Sequence, residues 1–370
     1  MSIVKSPSRI LFVLPNDYLG GAEQVLKMIS NQFKGSNVTI YFLTAKKTNA
    51  WEAIGIDKEI VYSKYQNQYF GAIAWCLSLL FKSHNKKYTY IFTSHVFVTG
   101  LIGILIRIGL INKQYFIGRE STHIFKRFKG YKLWLYKMMY KYGYSALDLL
   151  ICQTDTMKEE LVKALPYLEK KINLKVIPNP IDLKNIKISE DIDFHHKNEK
   201  YIVSAGRLIP EKGFNLLIKV FNELKKEQTD IKLIILGEGP EGNKLKELIE
   251  KYNLKEDVIL KGFVPNVYPY FQYAQVCVVS SYVEGFPNVL LQMMAKNTKV
   301  VSTNCAGGID QIEGVFLSEV NNKLDLKKKI DLALISNTID NRYIFDTYLH
   351  NRSIEKFMEK IYSALKLKTN

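Results

Sequence analysis

Glu284 stands alone between an apolar, β-branched run, QVCVVSSYV (275–283), and a helix-opening stretch, Gly285-Phe286-Pro287-Asn288. Residues 276–280 read as a buried strand, and Pro287 suits the first turn of a helix. In a parallel α/β protein such a junction, a strand's carboxyl end beside a helix's amino end, is where ligands bind. A helix amino end attracts phosphate, so a carboxylate next to it needs another partner. The hydroxyls of a sugar whose phosphates face the helix would be one, which outlines a nucleotide-sugar site. Arg207 and Lys212, five apart in the loop after the run 201–205, are cations that either meet an anion or are simply solvated. Gly20 and Gly21 lie where small residues let backbone amides approach a phosphate or a sugar. His95 follows the apolar run 88–94, and Arg119, Glu120 and His123 close or follow the run 114–120. A histidine at a strand end equally fits a structural role.

Metal chemistry is not expected. The only Asp-x-Asp pair, Asp191-Ile-Asp193, lies inside a charged stretch with His195 and His196 and reads as solvated charge. The four cysteines, Cys76, Cys152, Cys277 and Cys305, are far apart with no Cys-x-x-Cys pair, as suits a reducing compartment.

The elements that must position these residues alternate between strand and helix. RILFVL (9–14), VTIYFLT (38–44), YTYIFTS (88–94), QYFIGRE (114–120) and LDLLICQT (147–154) read as strands, with a helix from about Ala22. After the polar stretch 187–200 a second series opens. Its expected strands are 201–208, 231–237, 258–263, 275–280 and 299–303, and its helices 214–227, 241–252 and 287–296. Repeated βα units imply parallel sheets covered by helices on both faces. Two Rossmann-like halves follow: residues 1–183, a linker 184–200, and 201–345. A final helix within 346–370 has its apolar residues at helical spacing and can pack back on the amino-terminal domain.

The 370 residues carry a net charge of +16, and residues 1–150 hold 20 Lys/Arg against 7 Asp/Glu. Basicity confined to one half marks a surface that meets a polyanion. Residues 124–144 concentrate it: Lys126, Arg127, Lys129, Lys132, Lys137 and Lys141 occur with Trp134 and several tyrosines and no acid. Cations among interfacial aromatics suit an anionic membrane surface. The same segment also fits an amphipathic helix that buries Leu133, Leu135 and Met138 in its own domain. No nucleic-acid-binding motif is visible, so nucleic acid is not an expected partner. The longest apolar stretch, 96–111, is broken by Arg107 and too short to span a bilayer, so it reads as a buried or half-buried helix. The amino-terminal run before Pro15 is too short for a signal segment.

Five motifs in order, GGAEQVL (20–26), VIPNPID (176–182), SAGRLIPEKGFNLLI (204–218), LGEGP (236–240) and SSYVEGFPNVLLQMMAKNTKVVSTNCAGG (280–308), resemble family 4 glycosyltransferases. The resemblance implies a GT-B fold, two Rossmann-like domains facing each other across a cleft. It also implies retaining, metal-independent transfer of a sugar from a nucleotide diphosphate. On it, Arg207 and Lys212 contact the diphosphate and Glu284 reaches hydroxyls of the transferred sugar. Gly206, Gly237, Glu238, Gly239, Gly285, Phe286, Pro287, Asn288 and Val289 line the donor. His95 lies beside the donor sugar, with Gly20, Gly21, Arg119 and His123 on the acceptor side. The family usually has a second glutamate where this chain has Gln292, which keeps an acceptor oxygen for ribose hydroxyls but loses the charge.

The resulting expectation is transfer of a hexose or N-acetylhexosamine, from UDP in preference to GDP, to a lipid-linked saccharide in cell-envelope polysaccharide (O-antigen or capsule) synthesis. The enzyme would work in the cytoplasm, attached peripherally to the inner face of the membrane. The alternatives are a nucleotide-sugar epimerase or hydrolase on the same fold, and a binding protein in which Gln292 marks lost catalysis.

Overall fold

The computed structural model describes residues 8–48, 51, 58–81, 87–188 and 194–366. They divide into two units, one running to Pro180 and resuming at Ile354, the other spanning Ile181–Ser353. Each is built on one parallel sheet.

The first unit's strands are β1 (Arg9–Leu14), β2 (Asn37–Phe42), β3 (Lys58–Tyr62), β4 (Lys87–Thr93), β5 (Asn112–Arg119), β6 (Leu149–Cys152) and β7 (Leu174–Val176). Their order across the sheet is β3-β2-β1-β4-β5-β6-β7. Period-two alternation gives β1 two apolar faces. Ile10, Phe12 and Leu14 enter one core with Val25, Ile29 and Phe92, while Leu11 and Val13 enter another with Val98, Ile102 and Leu150.

The second unit has β8 (Tyr201–Ala205), β9 (Lys232–Leu236), β10 (Val258–Gly262), β11 (Val276–Val279), β12 (Val300–Thr303) and β13 (Phe316–Ser318), ordered β10-β9-β8-β11-β12-β13. Its sheet is two-faced in the same way: Val276 and Val278 point into one core, Cys277 and Val279 into the other. In each sheet the winding direction reverses once, between β1 and β4 and between β8 and β11. Loops leaving the carboxyl ends of that strand pair diverge and leave a crevice. GGAEQVL (20–26) follows β1, SAGRLIPEKGFNLLI (204–218) starts in β8, and SSYVEGFPN (280–288) follows β11.

Three boundaries differ from those read in the sequence. Residues 184–200 are not a bare linker: the helix Leu183–Ile188 buries Ile186 in the second unit, and Phe194 packs edge-on against Tyr270 at 4.7 Å. Asp191 and Asp193 lie outside the described residues. The second unit continues beyond 345, because the helix Asn341–His350 buries Phe345 and Leu349 in it. The last helix is Ile354–Ala364, and its Ile354, Phe357, Met358, Ile361 and Tyr362 belong to the first unit's core.

The basic segment 124–144 is also not one helix. It forms Ile124–Arg127 and Gly130–Gly143, with Gly130 at φ +58° in the break. The second piece lies against the helix Val96–Arg107 at backbone distance. A Cβ on Gly103 would come within 2.0 Å of the Gly143 carbonyl oxygen, so only glycine permits this approach.

Candidate active site

The second unit's site is assembled from the loops after β8 and β11. After β8 the chain passes Gly206 and Arg207, makes a short turn over Pro210–Lys212, and enters the helix Phe214–Glu227 through Gly213. Gly213 adopts φ +65°, and a Cβ there would sit 2.1 Å from the Ser280 carbonyl oxygen, so the two loops touch through backbone. Cross-links fix that contact: the Ser280 hydroxyl donates to the Lys212 carbonyl (3.0 Å), and the Tyr282 amide donates to the Glu211 carbonyl (2.8 Å).

Held this way, the Lys212 ammonium forms an ion pair with Glu284 Oε1. The Ser281 hydroxyl donates to the same oxygen (2.9 Å), and the Glu284 amide donates to the Cys305 carbonyl (2.8 Å). The carboxylate is a source of the upward push on the Cys305 thiol, to about 12, second to burial itself. Arg207 is exposed nearby in sequence, while Lys212 and Glu284 are both half-buried. An ammonium has three donors, so Lys212 can hold Glu284 and still donate to an anion.

Gly237 and Gly239 permit a second close approach. Cβ atoms there would lie 2.0 Å from the Gly206 oxygen and 2.4 Å from the Leu208 oxygen. The exposed Glu238 between them accepts from the Phe263 amide (3.2 Å). Pro287 caps the helix Asn288–Lys296 instead of occupying its first turn. Gly285 and Phe286 are buried, and the Arg352 guanidinium lies 4.7 Å from the Phe286 ring. Val289 is half-buried on that helix. Gln292, one turn on, donates from Nε2 to the Tyr268 hydroxyl at 3.5 Å, which leaves its carbonyl oxygen as an acceptor.

In the first unit, Gly20 caps the helix Gly21–Ser30 and Glu23 lies in its first turn. Glu23 Oε1 is 2.7 Å from His95 Nε2, which joins the loops after β1 and β4 at the reversal point. Burial would raise the Glu23 carboxyl, but His95 and Arg119 outweigh it and hold it below the ordinary value. Glu23 was not singled out in the sequence, although it stands three residues after Gly20 in GGAEQVL.

Arg119 and His123, expected on the acceptor side, are both turned inward. Arg119 is 3% exposed, donates to Ser94 Oγ (3.3 Å) and to Asn179 Oδ1, and has its pKa pulled down to about 10 by burial. Asn179, from the motif VIPNPID, donates in turn to Gln153 (3.0 Å). His123 pairs with Glu160 at 2.7 Å. Neighbouring Glu120 is wholly enclosed, and the Tyr140 and Tyr144 hydroxyls donate to it at 3.0 and 2.9 Å. Burial pushes its carboxyl up to about 7 despite those two bonds.

Among the expected membrane cations, Lys126 is paired with Glu160 and Lys132 lies 4.5 Å from the Phe128 ring. Lys129, Lys137 and Lys141 are exposed, as is Trp134, stacked on Tyr131 at 5.6 Å. Among the described residues, no three His, Cys, Asp or Glu side chains gather as a metal would require.

Two parallel-sheet units of this topology, with small-residue loops and paired ionic groups at each reversal point, define a GT-B protein. Anabaena HepE in complex with UDP-glucose shares the fold at TM-score 0.79 and 17% identity, over 97% of this chain and 99% of that one. Residues 186–348 match the family model for glycosyl transferases group 1. That match covers less than half of the chain and lies within the second unit. The chain is 37% identical over 186 residues to a Campylobacter jejuni protein, N-acetylgalactosamine-N,N'-diacetylbacillosaminyl-diphospho-undecaprenol 4-alpha-N-acetylgalactosaminyltransferase, a stretch that covers 49% of each chain. It is 28% identical to the uncharacterized glycosyltransferase MJ1059 of Methanocaldococcus jannaschii over 278 residues, 71% of this chain and 67% of that one.

Proposed function

We propose that the protein is a retaining, metal-independent glycosyltransferase that moves a hexose or N-acetylhexosamine from UDP to a lipid-linked saccharide at a membrane surface. The observation that carries this reading is the Lys212–Glu284 pair at the reversal point of the second unit's sheet, with Arg207 earlier in the same loop after β8. A sugar diphosphate matches it chemically: phosphates for the two cations and the amino end of the helix Asn288–Lys296, hydroxyls for the carboxylate. Gln292 offers its carbonyl oxygen to a ribose hydroxyl. The UDP preference and the lipid-linked acceptor draw on the neighbour bound to UDP-glucose and on the diphospho-undecaprenol relative.

In the proposed reaction the bond between the anomeric carbon and the diphosphate oxygen breaks as negative charge grows on the diphosphate. Arg207, Lys212 and the helix end stabilise that charge, an effect that becomes larger as the transition state is approached. The acceptor hydroxyl attacks from the face the diphosphate leaves, and its proton passes to a diphosphate oxygen. Glu284 holds the sugar in register for that attack. In the first unit Gly20, Gly21 and the Glu23–His95 pair are assigned to the acceptor. Arg119 orients that region through Ser94 and Asn179 instead of touching substrate.

The test is transfer of labelled sugar from a panel of UDP- and GDP-sugars to a lipid diphosphate-linked saccharide. Glu284→Ala and Arg207→Ala should each lower turnover on the order of 100-fold, or about 3 kcal/mol of transition-state stabilisation. Near-normal transfer by both variants would sink the site assignment. Donor consumption that outruns transfer would instead indicate a hydrolase or epimerase.

A further inference from the structure

The helix Gln68–Leu80, with Phe81 after it, carries no charged residue and is apolar on both sides. Its inner side is accounted for. Gly71 lies so close to the Leu43 carbonyl that a Cβ would reach 1.9 Å, and Trp75 stacks on Tyr41 at 4.6 Å. Its outer side is not: Phe70 is 62% exposed, Ile73 57%, Leu77 52%, Leu80 57% and Phe81 88%. These positions recur every three to four residues and form one stripe along the helix. A helix that is apolar all round is normally enclosed, and a stripe of this size on a soluble surface marks a contact.

The surroundings indicate what makes that contact. Tyr69, at the amino end, packs edge-on against Phe97 at 4.8 Å and lies near enough to Tyr136 for the two phenols to interact electrostatically. Tyr136 belongs to the helix Gly130–Gly143, which presents Lys132, Lys137 and Lys141, exposed Tyr131 and Trp134, and no acid. An apolar stripe, with exposed lysines and interfacial aromatics on the helix that Tyr69 approaches, is complementary to anionic headgroups above acyl chains. A protein partner would be expected to bring acids for the lysines and an apolar ridge for the stripe; an anionic bilayer offers both at every point of its surface. At 13 residues the helix is ~20 Å long, too short to cross a hydrocarbon layer of ~30 Å.

We propose that the helix Gln68–Leu80 is a monotopic insertion element: it lies in the plane of an anionic membrane with Phe70, Ile73, Leu77, Leu80 and Phe81 among the acyl chains. The lysines of the neighbouring helix bring the protein to the surface, and the stripe sets depth and retains it when salt screens the charges. The inference extends the membrane part of the proposed function but does not need transferase activity, and its test is separable from that reading.

The test is sedimentation with vesicles of phosphatidylglycerol or of phosphatidylcholine, at low salt and at 0.5 M salt. The native chain should bind phosphatidylglycerol vesicles, and part of that binding should survive salt. Phe70→Ser/Ile73→Ser/Leu77→Ser should retain its melting temperature and its UDP response, because the three side chains point outward, yet lose salt-resistant binding at least 10-fold. Lys132→Gln/Lys137→Gln/Lys141→Gln should instead lose the low-salt increment. An environment-sensitive fluorophore on Leu77→Cys, in a Cys76→Ser background, should shift to the blue with phosphatidylglycerol vesicles. Unchanged binding by the serine variant, or no spectral shift, would overturn the proposal. So would a native dimer that the serine variant converts to monomer, since the stripe would then face a second copy.

Discussion

Lys212 is the residue on which both halves of the proposed donor site depend, because its ammonium holds the Glu284 carboxylate and, on that proposal, would also meet the phosphates. Lys212→Ala should reduce kcat/KM about 100-fold or more, and Lys212→Arg should restore part of it, since charge survives while the geometry of the pair changes. Steady-state kinetics on both variants check this. Glu120 supports a different expectation. Its carboxyl is raised to about 7 in the fold by burial, against an ordinary value near 4.5. The folded state therefore holds the proton more tightly. That stabilisation is complete below the unfolded value and is lost as pH rises through the folded one. Stability from this group should fall between pH 4.5 and 7 by ~3 kcal/mol, and Glu120→Gln should flatten that slope. Denaturant melts across the window measure it. Glu23 has the opposite sign: its depressed carboxyl contributes stability above the unfolded value and loses it as pH falls through the folded one.

At the scale of elements, loop contacts decide whether the site forms. Gly213→Ala would need a left-handed backbone and would drive a Cβ to 2.1 Å from the Ser280 oxygen. The expected cost is about 2–4 kcal/mol, read as a lower melting temperature, with donor binding weakened in step. Much of this architecture was legible in the sequence. The strands β1, β8, β9 and β11 are near-continuous apolar runs, because both faces of a parallel sheet are buried, and their ends place the motifs. Of the four edge strands only β10 was legible. β3 (KEIVY) is half-exposed, while β7 (LKV) and β13 (FLS) have three residues each, too few for a period. The Glu23–His95 pair spans 72 positions and leaves no local signal, and the inward turn of Arg119 depends on Asn179, 60 residues away. The apolar helix Gln68–Leu80 could be missed for another reason. Periodicity shows only where apolar residues alternate with polar ones, and here both sides are apolar.

At the scale of the molecule, the chain's last helix completes the first unit's core. A chain ended at Ser353 would remove Ile354, Phe357, Met358, Ile361 and Tyr362 from that core, a loss of roughly 10 kcal/mol of burial at ~2 kcal/mol each, comparable with the stability of an entire domain. Such a truncation should lose the first unit's cooperative transition in calorimetry and retain the second's. The second unit's reversal point is the centre of the whole account, and ligand-induced stabilisation tests it most directly. Thermal unfolding would be followed for the native chain and for Arg207→Ala with UDP, GDP or ADP at equal concentration. UDP at 100 times its dissociation constant should stabilise the native protein by ~2.7 kcal/mol, and Arg207→Ala should lose most of that gain. No stabilisation by any nucleotide, or an equal gain in the variant, would contradict a nucleotide-sugar site at Arg207, Lys212 and Glu284.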